Sequence, residues 1–228
     1  MDEKLIRVDH EMHTAVLTLN REEKRNALSV ELRKQLTDEL SRCAQQESVK
    51  VVILTGKGSV FSAGFDTSEF MNLDTEKAKC FFEESLQYHL DVITFPKPII
   101  AALNGPAIAG GLDLALMCDF RIASDTAFVQ HPEIRFGATP LSILLKPVVG
   151  DGLARDISFT GRRVDTSEAL RIGLFNRVVP VDTVLDEAVN YAAQIAESKL
   201  ETLMAVKRMC IAAIDIEKFK QVLADALG

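Results

Sequence analysis

Hydrophobic positions along this chain alternate between two textures. Short apolar runs, most of them apolar throughout, occur at TAVLTLN (14–20), VVILTG (51–56), PIIAALNG (98–105), FRIAS (120–124) and FNRVVP (175–180). Runs of this length predict strands, and apolar residues at nearly every position predict strands covered on both faces. Between the first two runs, Leu32, Leu36, Leu40 and Ala44 recur every fourth residue. That spacing puts them on one face of a helix, with Ser29 as its N-cap. A second helix is expected over about 75–94, stopped by FPKP, and a third from near Gly110 to Met117. Strand and helix in alternation imply an α/β fold with parallel pairing. From about Asp182 only the helical pattern remains, carried by Leu185, Ala188, Ala192 and Ile195 and by a segment after Ser198. The division expected is a core over 1–182 and a C-terminal helical region over 183–228.

Composition narrows the function classes. The chain has 228 residues, 47% hydrophobic and 26% charged, enough for one sizeable core that can shelter a deep site. A net charge of −7 argues against a nucleic-acid surface. No apolar run approaches the roughly 20 residues that span a bilayer, and MDEKLIRVDH at the start has no signal-peptide core. Cys43, Cys80, Cys118 and Cys210 are scattered, which implies reduced thiols in a cytoplasmic protein and no zinc cluster. Cys118, inside an apolar run, is expected in the core.

Two loops share a chemistry. FSAGFD (61–66) follows the strand 51–56, and AIAGGLD (107–113) follows the strand 98–105. Glycine at such a handover permits a tight connection. Two loops facing one point would also offer free backbone N–H groups, an oxyanion hole worth roughly 3 kcal/mol per donor to a transition state. Neither GxGxxG nor GxxxxGK[ST] is present, which disfavours the common nucleotide sites.

Two carboxylates accompany these loops. Asp113 sits in the first turn of an apolar helix, where a cap is stabilised by about 0.3–1 kcal/mol. Glu133 follows a proline in HPEIRFG, where a solvated loop acid is the plain expectation. Together, beside an oxyanion hole, they can divide the labour of general base and general acid. That suits proton transfer, or addition of water, next to a carbonyl. His131, two residues before Glu133, could tune that acid, but a solvated loop histidine is the plainer expectation. His10, His13 and His89 have no partners at ligand spacing, and 204–214 (MAVKRMCIAAI) is expected to be a packed tail helix.

LNREEKRNALS, VVILTGKGSVFSAGFD, FPKPIIAALNGPAIAGGLDLALMCDFRIAS, HPEIRFG and ALRIGLFNRVVP resemble, in order, the motifs of the crotonase superfamily, the enoyl-CoA hydratase/isomerase family. The resemblance covers residues 14 to about 182. It implies a crotonase-type spiral of ββα repeats, acyl-CoA thioester substrates, and assembly as a homotrimer or homohexamer. It places the oxyanion hole at the N–H groups of Phe65 and Gly110, and the catalytic acids at Asp113 and Glu133. Ala63, Gly64 and Asp66 fall where the family touches the adenine and pantetheine. Lys24, Arg25, Ala27 and Leu28 fall in the loop at the CoA entrance, where two cations suit phosphates. Phe70 and Leu141 fall on the acyl pocket. Neither metal nor redox cofactor is implied, coenzyme A being part of the substrate.

Three features depart from the family pattern. Asp113 is one methylene shorter than the usual glutamate, and a shift of about 1 Å at a reacting group can cost 100-fold in rate. FGATPLSILLKPVVG is apolar where hydratases carry a glycine-rich loop, and Leu141 stands where a dienoyl-CoA isomerase would carry an acid. The helical region is shorter than is typical. Addition of water to a 2-enoyl-CoA is the first reading. The alternative is Δ3–Δ2 isomerisation by Glu133 alone. Cyclic dienoyl-CoA hydration, acyl-CoA hydrolysis or decarboxylation, and non-catalytic acyl-CoA binding complete the set.

Overall fold

A computed structural model describes residues 4–70 and 73–227. In chain order the elements are β1 (Ile6–Glu11), β2 (Thr14–Leu19), α1 (Val30–Gln45), β3 (Val51–Gly56), the one-turn α2 (Thr67–Phe70), α3 (Thr75–Ile93), β4 (Ile99–Leu103), β5 (Ala107–Ile108) and α4 (Gly110–Met117). There follow β6 (Phe120–Ser124), β7 (Phe128–Gln130), α5 (Ser142–Val149), α6 (Asp151–Thr160), β8 (Val164–Asp165), α7 (Thr166–Arg171), β9 (Arg177–Val179), α8 (Val184–Ala196), α9 (Leu200–Ala212) and α10 (Ile216–Leu227).

The five apolar runs all become strands of one six-stranded sheet, in the order β1-β2-β3-β4-β6-β9. Every pairing from β2 onward is parallel, as the alternation of strand and helix requires. The exception is β1, antiparallel to β2 at the sheet edge. Its sequence IRVDHE is largely exposed beyond Ile6, so it lacks the unbroken apolar run that marks a central strand. A second sheet, β5-β7-β8, is built from strands of two or three residues, too short to leave a periodicity.

Side chains of the large sheet alternate between two cores, as the period of two demands. On β3, Val52 and Leu54 enter the main core, and Val51 and Ile53 point the other way. The main-core face meets α1, whose Leu32, Leu36 and Leu40 are buried and whose Leu32 N–H donates to Ser29 Oγ at 3.2 Å. The opposite face is covered by α8, through Val184, Ala188, Ala192 and Ala196 at four-residue spacing. Beyond it, α9 is held differently from the packed helix expected. Val206 and Met209 are exposed, and its one buried residue is Lys207, paired with Asp119 at 2.7 Å. The last helix, α10, packs on α3 and buries Phe219 and Leu223. Cys118 is buried, as expected. No helix among the described residues is long and apolar enough to cross a membrane.

Candidate active site

The loop after β3 and the loop after β4 lie against each other. Ile108 N–H donates to Ser62 O at 3.0 Å, and Ser62 pairs with Ala107 as an isolated bridge. Glycines make the contact possible. A Cβ on Gly64, whose φ is +91°, would lie 3.0 Å from Gly110 N, and one on Gly111 would lie 2.4 Å from Ser62 O. A Cβ on Gly110 would strike the Phe65 ring at 2.8 Å and stand 3.5 Å from Phe65 N. The N–H groups of Phe65 and Gly110 are thus neighbours. Neither donates to a main-chain carbonyl among the described residues. Gly110 opens α4, so its N–H has no helical acceptor by construction.

One residue is strained to aim it. Ala109, the N-cap of α4, has φ 51° and ψ −129°. An L-residue reaches such a conformation only at a cost of order 1–3 kcal/mol. The strain is held by Ala109 N–H donating to Gln130 O at 2.9 Å, in line with the β5–β7 pairing. That pairing lays residues 128–133 beside 107–113, which brings the second acid to the first.

Every residue of α4 is buried, so Asp113 is a carboxylate in a helix with no wet face. Its Oδ1 lies 3.1 Å from His131 Nε2. His131 is fully buried, which corrects the expectation of a solvated loop histidine. The reason is the β5–β7 register, which turns His131 inward at the end of β7. His131 Nδ1 and Glu133 Oε2 are buried with no hydrogen-bond partner among the described residues. One donor atom each from Asp113, His131 and Glu133 falls within 4.8 Å of the others. Two carboxylates and an imidazole at this spacing are chemically able to take a divalent cation or a water.

Burial pushes the Glu133 carboxyl up, and the negative charge of Asp113 adds to it against the opposing pull of His131. Burial pushes His131 down, but the Asp113 charge, its hydrogen bond and the Glu133 charge outweigh it, so the imidazole is raised on balance.

The residues expected at the CoA entrance also come together. Leu28 N–H donates to Gly64 O at 2.8 Å and Ala63 N–H donates to Arg25 O at 3.0 Å, so the loop of Lys24, Arg25, Ala27 and Leu28 runs beside Ala63, Gly64 and Phe65. Lys24 and Arg25 are exposed. Asp66 is engaged by Ser68 and by Arg21 at 2.6 Å, which together hold its carboxyl near 2. Leu141 is buried in the main core at the start of α5, which packs on α4. Phe70 closes α2, and its side chain lies outside the described residues.

The profile of the family described as Enoyl-CoA hydratase/isomerase matches residues 9–227. The chain belongs to the enoyl-CoA hydratase/isomerase family. A putative enoyl-CoA hydratase of Thermus thermophilus is 37% identical over 209 residues, covering 88% of this chain and 81% of the relative. A crotonyl-CoA hydratase of Syntrophomonas wolfei is 33% identical over 230 residues, covering 97% and 87%. The crystal structure of an enoyl-CoA hydratase from Bacillus anthracis superposes with a TM-score of 0.88 at 31% identity, covering 98% of this chain and 89% of that one. The chain therefore has the crotonase fold, with C-terminal helices, and is an enzyme of the lyase or isomerase type.

Within that family frame, four residues emerge that the motifs did not single out. Asn26, left-handed at φ 52° and fully buried, donates to Lys57 O and Val60 O and so fixes the loop after β3. Arg33 of α1 lies 4.7 Å from the centre of the Phe65 ring, with Nη1 donating to Leu28 O. His89, given no role from spacing, is fully buried on α3 with its ring 5.9 Å from that of Phe65. The fourth is His131. Asn26 had a signal in its position between two charged residues and a helix start. Arg33 and His89 have none, because the Phe65 ring that both approach is more than 20 residues away in the chain.

Proposed function

We propose that this protein is an enoyl-CoA hydratase that adds water across a 2-enoyl-CoA double bond. The observation that carries the reading is the meeting of Asp113 and Glu133, within 4.8 Å, beside two unengaged N–H donors. In this reading Phe65 N–H and Gly110 N–H polarise the thioester oxygen and take up charge as the enolate forms. Glu133, raised by burial, takes a proton from water as it attacks the β carbon and returns a proton to the α carbon. Asp113 holds the same water. The exposed Lys24 and Arg25 meet CoA phosphates. Metal and redox cofactors have no part in this scheme, and a homotrimer or homohexamer is the proposed assembly. The test is crotonyl-CoA with purified protein: appearance of 3-hydroxybutyryl-CoA by mass spectrometry supports the reading, and an unchanged substrate overturns it.

One observation favours a second reading. Leu141, Leu144 and Leu145 are all buried in the segment after Glu133, and an apolar segment there suits proton shuttling by Glu133 alone. A 3-enoyl-CoA in deuterated water discriminates the two: conjugation without a 3-hydroxyacyl product marks an isomerase.

A further inference from the structure

The shortened acid at position 113 has a partner that restores it. Resting on the hydratase reading, we propose that His131 is a positioning residue for Asp113, so that carboxylate and imidazole act as one acid–base unit opposite Glu133. The geometry is specific. The two side chains are 0% and 5% exposed, with Nε2 3.1 Å from Oδ1, a contact in which an ionised Asp113 can only accept. One carboxylate oxygen is thereby committed, and the Oδ2 edge is left for the water. A pinned carboxylate compensates for its missing methylene by losing rotameric freedom, the quantity that decides whether a reacting group is in reach.

The surroundings are arranged for this pair. His131 is delivered by β7, whose last residue accepts from the strained Ala109, so the pair and the Gly110 donor share one anchoring hydrogen bond. From behind, a Cβ on Gly161 would lie 2.9 Å from His131 O, and Gln130 Nε2 donates to Gly161 O at 2.8 Å, which fixes the turn against the end of α6. The charged and titratable groups that bear on the pair are Glu133 on its own turn, and His89 and Tyr88 on α3, both of which feel Asp113. When protonated, an imidazole within 4.8 Å of both carboxylates lowers the cost of burying them. His131 Nδ1 is also buried, with no hydrogen-bond partner among the described residues.

The experiment uses the full chain with three variants: His131→Ala, His131→Gln and Asp113→Asn. With crotonyl-CoA, His131→Ala is expected to lose about 10- to 100-fold in kcat with KM changed less than about threefold, as for a misplaced reacting group. Gln keeps a side-chain donor, so His131→Gln is expected to recover kcat to within about fivefold of the parent. It is also expected to lose the alkaline fall in kcat that follows loss of the imidazolium. Independently of turnover, the imidazole nitrogens of His131, followed by NMR in unliganded protein, are expected to titrate above the ordinary histidine value and to move down in Asp113→Asn. An unchanged kcat in His131→Ala overturns the proposal, as does a His131 titration indifferent to Asp113→Asn. If the parent does not hydrate crotonyl-CoA, the hydratase reading fails, and the NMR titration still decides the pair.

Discussion

Asp113 and Tyr88 show how differently a buried polar atom can be treated. Asp113 is buried but has His131 Nε2 3.1 Å from its Oδ1, and the proposed hydratase reading gives its charge a use. Asp113→Asn keeps the shape and removes the charge. Hydration of crotonyl-CoA is expected to fall by about 100-fold or more, the range for losing an acid–base group. An unchanged rate would show that Glu133 works alone. Tyr88 on α3 buries its hydroxyl with no partner among the described residues. An unpaired buried hydroxyl destabilises, and removing it returns that free energy. Tyr88→Phe is expected to raise unfolding stability by about 1 kcal/mol, read from the urea midpoint at unchanged m.

At the level of elements, the turn from β5 into α4 concentrates the strain and the close contacts. Ala109→Gly relieves a conformation that only glycine adopts freely, and is expected to stabilise by about 1 kcal/mol in chemical denaturation. Gly111→Ala goes the other way. Its Cβ would meet the main-chain oxygen of Ser62 at 2.4 Å, an atom that cannot swing aside, and a loss of about 2–3 kcal/mol is expected. These two neighbours also mark where sequence reasoning stops. Gly64, Gly110 and Gly111 could be read as loop glycines from their place after apolar runs, and the central strands from the runs themselves. Asp113 and Glu133 could be paired because family motifs hold them in order. Ala109 gave no warning, since alanine carries no sign of a positive φ. The burial of His131 is not legible in sequence, because it depends on β5–β7 register, a pairing of two- and three-residue strands with no periodicity to detect. Edge strand β1 escaped for the opposite reason: its outward polar residues mask the pattern.

Across the whole molecule, the buried histidines give stability opposing dependences on pH. His131 is raised in the folded state, so the folded protein binds its proton more tightly than the unfolded chain does. Its contribution is complete below the ordinary value of about 6.5 and is lost as pH rises through the folded value. Glu133 is raised too and adds to the decline above its unfolded value. His89 is lowered by burial, so its contribution is present above about 6.5 and is lost as pH falls. Guanidinium denaturation across pH 5 to 9 is expected to show a maximum near neutrality. In His131→Gln the alkaline side should flatten, and in His89→Leu the acid side should. A flat profile in the parent would show that neither histidine is linked to folding. The main-chain origin of the two donors proposed for the thioester has a different consequence, for descent rather than for stability. Most substitutions at Phe65 exchange the side chain and leave its N–H in place. The proposed handle on the substrate therefore survives most exchanges at Phe65 as long as the neighbouring glycines stay, while Asp113, His131 and Glu133 are each one codon from another chemistry. A library randomised at those three positions should keep its grip on acyl-CoA and diverge in what it does to it.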